Sequence, residues 1–488
     1  MEQTNLESLR NDPVFRHFDR ICQIPHGSGN EQALARSIID WAKALGLHAG
    51  FDAVGNVFIR KPCAADAPTV LLQAHLDMVC VDTGATRHDF KHDPIPWSVT
   101  GDTLSTGGRT SLGADDGIGV ALAMSMLELE RDDFPNLEAL FTVREEADMG
   151  GALGFDPKLS EASLLINLDH TNEHEIMCGS CGGMRADFHL PVKREPLPDG
   201  WIFSRLCVSG LLGGHSGEDI NKGRGNAIQL LSRLLDCVEQ RCPLRVCSLR
   251  GGIMRLAIPI EAECVICFPP KCESELRACV EELAGQMRNE LACSGSRLRI
   301  TLEPCETAVS GVPAASILPA LLLCPDGICA MNEALPGMVD SSDNLGEAYL
   351  LEDALSLVLE IRAAADSQRL FIYRRLEALA KLLGGGCTCS EAYPGWACNL
   401  SSPLTRLTCE VHREQYGAEP TLTTIHAGLE PGCLLASNPK LDAISIGPNL
   451  WNLHTVEESL SISSVRRFYE YLQHILTAIR TRRMPNGN

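Results

Sequence analysis

The 488-residue sequence predicts an α/β fold interrupted by an inserted α+β domain. Three observations carry that reading. Strand-like apolar runs alternate with helical periodicities over the N-terminal part of the chain. The same alternation returns near the C-terminus, and the stretch between has a different texture. The length itself favours two domains over one compact core.

The elements follow in order. From Glu31 to Leu45 the apolar residues Leu34, Ile38, Trp41 and Leu45 recur at helical spacing. Strand-like runs then occupy Val57–Arg60, Thr69–Gln73, Leu137–Val143 and Leu164–Leu168, and Asp116–Glu130 between the second and third reads as a helix. This alternation predicts a largely parallel sheet. From about Arg185 to Tyr393 the short alternating strands IFSRLCVSG, EAECVICF and RLRITLEP are interspersed with amphipathic helices at Asn226–Gln240 and Glu273–Leu291. LVLEIRAAADS, which contains Arg362, also reads as an amphipathic helix. AISIG at 443–447 resembles a buried strand, and Val465, Phe468, Leu472, Leu476 and Ile479 form the apolar stripe of a final helix. Boundaries fall in the glycine-rich CGGMR (181–185) and in EAYPGW (391–396). The chain thus divides into 1–183, 184–393 and 394–488.

Composition narrows the function. A formal charge of −21 disfavours phosphate backbones and anionic lipid, so neither nucleic acid nor a membrane is an expected partner. The N-terminal MEQTNLESLRNDPVF lacks a basic region followed by an apolar stretch, and no apolar tract is long enough to span a bilayer. The expected location is the cytoplasm. There the 22 cysteines read as reduced, mostly buried thiols, and the pairs Cys178/Cys181 and Cys264/Cys267 lie too far apart in sequence to suggest one zinc knuckle.

Five polar features stand just past predicted strands or at the start of the next helix, the edge where open α/β sheets build sites. LLQAHLDMV sets His75 and Asp77 two apart, so both point to one side of an extended chain. SLGADDGIG frames Asp115 and Asp116 with glycines at a helix start, where they could equally be caps. Glu145 and Glu146 stand side by side after one strand, Asp169 follows LLINL, and His454 follows AISIG in PNLWNLHTVEES. Imidazoles with carboxylates and no thiolate suit zinc, manganese or cobalt. There are more carboxylates than one ion needs, which points to two metals sharing a bridging carboxylate. Neighbouring residues at a strand end point apart, so one glutamate could face a metal and the other a water.

H-x-D, GAD[DN]G, the glutamate pair, the strand-end aspartate, HTVEE and an inserted GGHSGEDI are similar to the dinuclear zinc dipeptidases. With GGHSGEDINKGRGNAI, IHAGLE, SIGPN and SVRRFYEYL, the chain resembles the aminoacyl-histidine dipeptidase family (peptidase D, cytosol non-specific dipeptidase) nearly end to end. The resemblance implies a zinc-peptidase (phosphorylase/hydrolase-like) catalytic domain with an inserted α+β lid. It implies two zinc ions, with manganese or cobalt as alternatives. His75, Asp115 and Asp169 would hold one ion, and Glu146 and His454 would complete the second across the Asp115 bridge. Asp77 would orient His75 by accepting its ring proton. Glu145 would be the general base toward a metal-activated water. His215 would donate to the oxyanion once the domains close, and Arg362 would grip the substrate carboxylate.

Departures from the family pattern leave the implied metal set intact. Leu256 in Arg255-Leu256-Ala257-Ile258-Pro259 replaces an asparagine, Asp116 stands where many relatives have asparagine, and Pro431 stands where cysteine is common. The implied activity is hydrolysis of small peptides, of Xaa-His type or broader. A dizinc deacylase of N-acyl amino acids stays open because of Leu256. A silent binding protein would require loss of the base or a ligand, and none is missing. The family resemblance leaves monomer and homodimer open, and gives His426 and Glu430 of IHAGLEPG no definite role.

Overall fold

The computed structural model describes residues 9–84, 87–294, 297–305 and 308–482. Most of the N-terminal stretch read for a secretory signal lies outside them. The chain separates into two compact units. One is drawn from residues up to Gly179, Trp396–Thr424 and Leu429 onward; the other comprises Ser180–Gly395 and Ile425–Gly428.

The first unit is built on an eight-stranded sheet. Its centre is parallel: Asn136–Thr142, Thr69–His75, Leu164–Asn167 and Asp442–Ser445 lie side by side and run the same way. These strands are covered on both faces, which is why they read as nearly continuous apolar runs. The largely parallel sheet expected from the alternation is only this centre. Val57–Lys61 pairs antiparallel with Asn136–Thr142, and His48–Phe51 pairs antiparallel with Val57–Lys61. The reason is local: only a five-residue connection, Asp52–Asn56, joins these two strands, too short for the crossover that parallel neighbours need.

The helix Ala114–Glu128 is apolar all round because it is buried all round. The final helix, Ile462–Thr481, buries its whole predicted stripe: Val465, Phe468, Leu472, Leu476 and Ile479 are at most 2% exposed. One hydrophobic core takes residues from both sides of the insertion, Leu9 through Ile176 and Leu404 through Ile479.

The second unit has its own core and a sheet whose main path is antiparallel throughout. IFSRLCVSG, EAECVICF and RLRITLEP are neighbours in it, with Ile202–Ser209 between Ala262–Phe268 and Arg299–Pro304. Cys264 and Cys267 are buried within the strand Ala262–Phe268. The reading of LVLEIRAAADS as a helix is corrected. Ala354–Ala363 is a central strand, and the helix begins only at Asp366. Its residues are buried on both faces, so the period-two alternation that marks a strand is erased.

Candidate active site

Parallel pairing puts the carboxyl ends of three central strands on one edge. His75 is the last residue of its strand, the 136–142 strand ends three residues before Glu145, and the 164–167 strand ends two before Asp169. Asp115 comes from the first turn of the helix Ala114–Glu128, where Asp115 and Asp116 depart from helical geometry. His454 sits with φ of +60° between the short strands Leu450–Trp451 and Ser459–Ser461. Left-handed backbone at a non-glycine residue is costly and persists where the surroundings hold it.

These side chains converge. His75 Nε2 lies 3.0 Å from Asp115 Oδ1 and 3.8 Å from Asp169 Oδ1. His454 Nε2 lies 3.1 Å from Asp115 Oδ2 and 2.7 Å from Glu146 Oε1. Asp115 thus turns one oxygen to each imidazole. Three overlapping donor groups result, His75/Asp115/Asp169, His75/Glu145/Glu146 and Asp115/Glu146/His454, each with its ligand atoms within 4.8 Å of one another.

The glutamates do not sit on extended backbone as their position after a strand suggests. Arg144 turns left-handed at φ +62°, and Glu145 and Glu146 open a single helical turn, Glu145–Asp148. Asp77 holds that turn: its carboxylate accepts the backbone N–H of Glu145 at 2.9 Å and of Glu146 at 3.2 Å, and the Ser28 hydroxyl at 2.7 Å. His75 Nδ1 faces the Asp77 backbone carbonyl at 3.0 Å, closer than the Asp77 carboxylate at 3.6 Å. Asp77 therefore fixes both the imidazole and the glutamate turn.

The electrostatics are those of an anionic cage. Burial pushes the Asp169 and Glu145 carboxyls well up; Asp115 adds to it in both, with Asp116 beside Asp169 and Glu430 and Glu146 beside Glu145. Burial would lower His75, but hydrogen bonds to Asp115 and Asp77 and the nearby acids hold it well above its usual value. Hydrogen bonds to Asp115 and Glu146 push His454 up to about 10. Asp115 is held low against its burial by His454 and His75. Four carboxyl groups crowd two imidazoles, all nitrogen and oxygen donors. Such a set fits hard or borderline divalent cations, whose charge would relieve the repulsion.

In the second unit, His215 Nδ1 accepts the backbone N–H groups of Gly217 at 3.3 Å and Glu218 at 3.2 Å. The ring proton is thereby placed on Nε2. Burial and the Arg362 charge lower the His215 pKa, so the ring is a neutral donor. Arg362 is 2% exposed and hydrogen-bonds the Tyr393 and Ser216 hydroxyls. His426 Nε2 meets Ser342 Oγ at 2.7 Å and its Nδ1 lies 2.9 Å from Cys181 Sγ; burial and Arg362 bring its pKa down to about 3.

The peptidase family M20/M25/M40 matches residues 71–478. The chain belongs to this family. Cytosol non-specific dipeptidase of Escherichia coli (strain K12) is 36% identical over 482 residues, 98% of this chain and 99% of that protein. The crystal structure of aminoacylhistidine dipeptidase from Vibrio alginolyticus aligns with a TM-score of 0.90 at 32% identity, covering 100% of this chain and 99% of that one. Aminopeptidase PepT from Bacillus cereus ATCC 10987 aligns with a TM-score of 0.56 at 14% identity over 96% and 98% of the two chains, a likeness of fold alone. The fold is that of the M20 peptidases, a metallopeptidase fold.

Two residues of this M20 chain went unassigned from the sequence and act beneath the donors. Glu458, 2% exposed, accepts four successive backbone N–H groups, Leu112 through Asp115, at 2.8 to 3.3 Å. It holds the loop that delivers Asp115. The signal available was the last acid of HTVEE, read as part of a motif with no partner in view. Glu430, fully buried, receives the Thr142 hydroxyl at 2.7 Å and a Gln73 N–H. Gln73 Oε1 in turn accepts from Asn167 at 2.7 Å. A buried polar layer therefore ties the three strands just below His75, Glu145 and Asp169. Burial pushes Glu430 up to about 7.

Proposed function

We propose that this M20 peptidase is a metal-dependent dipeptidase that binds two divalent ions, zinc or else manganese or cobalt, and acts in the cytoplasm. The observation that carries the two-ion reading is Asp115, whose two oxygens face His75 and His454 separately. His75, Asp115 and Asp169 would hold one ion; Asp115, Glu146 and His454 would hold the other. Bound there, the ions would acidify a water and polarise the scissile carbonyl. Glu145 would take a proton from the attacking water and return it to the leaving amine. Its carboxylate has no hydrogen-bond partner among the described residues, whereas Glu146 is engaged by His454. His215, a neutral Nε2–H donor, serves the oxyanion, and Arg362 the free carboxylate of the peptide. The segment 184–393 carrying both is read as the lid.

Support for dipeptides comes from the two full-length relatives, both named dipeptidases. The deacylase alternative raised by Leu256 is not favoured. The test is a dipeptide library assayed beside N-acetyl amino acids, after chelation and on re-addition of zinc, manganese or cobalt. Dipeptide hydrolysis lost on chelation and restored by metal is expected. Turnover indifferent to chelation, or confined to the N-acetyl compounds, would contradict the assignment.

A further inference from the structure

The second unit contains a buried charge without a counter-ion at hydrogen-bonding distance. Arg362 Nη1 donates to Tyr393 Oη at 2.9 Å and Nη2 donates to Ser216 Oγ at 3.2 Å. Arg362 Nε has no hydrogen-bond partner among the described residues. The nearby carboxylate, Glu360, lies 3.9 Å from Nη2 and is engaged by Arg255 at 2.8 Å. Hydroxyls occupy the places where an ion-pair partner would bond. A hydroxyl that accepts from a guanidinium keeps its own hydrogen, so Tyr393 and Ser216 present O–H donors on either side of the positive charge. A positive charge flanked by donors alone suits an acceptor-only anion, a carboxylate.

The backbone is shaped around this arrangement. Gly183 lies in the strand between the other two, paired with Arg362 on one side and with Tyr393 on the other. With no side chain there, Arg362 and Tyr393 reach each other across the middle strand. A Cβ at Gly183 would stand 2.3 Å from both Tyr393 Cζ and Tyr393 Oη. The register of the Gly386–Tyr393 strand shifts between Ser390 and Tyr393, with Glu391 left-handed at φ +48°, and this brings Tyr393 opposite Gly183.

We propose that the Tyr393 hydroxyl is a specificity determinant that, with Arg362, receives the free C-terminal carboxylate of the dipeptide. The proposal rests on the reading of Arg362 as the carboxylate grip. It extends that reading to a residue in a stretch, EAYPGW, whose composition suggests only a linker.

The test compares kcat/KM for one dipeptide and for its C-terminal amide in the wild type, Tyr393→Phe, Gly183→Ala and Arg362→Met, with thermal midpoints measured alongside. Loss of one hydrogen bond to a charged group predicts about a 10- to 100-fold drop for the dipeptide in Tyr393→Phe, mostly in KM. The amide should change little, so discrimination between the two collapses. Gly183→Ala keeps the hydroxyl but displaces the ring, and should lose discrimination as well. If Arg362→Met abolishes discrimination while Tyr393→Phe retains it, or if Tyr393→Phe weakens both substrates equally, the Tyr393 proposal fails and the Arg362 reading stands. If Arg362→Met leaves discrimination intact, the carboxylate reading itself fails.

Discussion

At the scale of single residues, adjacent Glu145 and Glu146 are the sharpest feature. Successive positions on one helical turn point in different directions, and Asp77 fixes both amides. Glu146 is drawn into the Asp115/His454 group, and Glu145 is left beside His75. Glu145→Gln should lower kcat by roughly 10²–10⁴-fold with metal content near wild type, as expected for loss of a general base. Glu146→Gln should instead deplete the second ion. Metal analysis of the two purified variants decides between the roles, and equal metal loss in both would contradict the split. The donor types themselves were legible in sequence, because each is a polar residue just past a strand-like run or at a helix start. Their distances were not, since His454 and Asp115 are 339 positions apart.

At the scale of elements, strand ends place His75 and Asp169, while Asp115 enters at a helix start and His454 lies between two short strands, so the last two need their own fixing. For the Asp115 loop that task falls to Glu458, which takes four backbone N–H groups. Glu458→Gln halves the acceptor capacity and sets an amide N–H against backbone N–H groups. Metal affinity should fall about 10- to 100-fold, the usual scale for residues that orient ligands. A competition titration with a chromophoric chelator checks it, and unchanged affinity would remove Glu458 from this role. Elements were legible where periodicity survived. The final helix shows its stripe because one face is wet, whereas Ala354–Ala363 hid its strand character because both faces are covered.

At the scale of the whole molecule, folding places some acids where charge is unwelcome. Asp343, 1% exposed in the strand Val339–Leu350, is pushed up to about 7 by burial, and its Oδ1 has no hydrogen-bond partner among the described residues. The folded form therefore holds a proton between about pH 4 and pH 7 that the unfolded form has released. Stability contributed through this group falls as pH rises across that window and stays low above it. Asp343→Asn should gain stability over the parent as pH rises from 5 to 8, by roughly 3 kcal/mol across that interval, from the linkage relation. Denaturant unfolding of variant and parent at the two pH values tests this; a larger gain at pH 5 would reverse the sign.

By itself the sequence determined the α/β framework with its inserted domain and brought the polar candidates at strand ends and helix starts into view, because those positions are local. Only the tertiary structure decided that Asp115 stands between two imidazoles, that Glu458 holds the Leu112–Asp115 segment and Asp77 the glutamate turn, and that Arg362 lies on a strand within reach of Tyr393. Those facts depend on which strands become neighbours, and neighbours in a sheet are chosen by burial over long sequence separations rather than by the residues beside them in the chain.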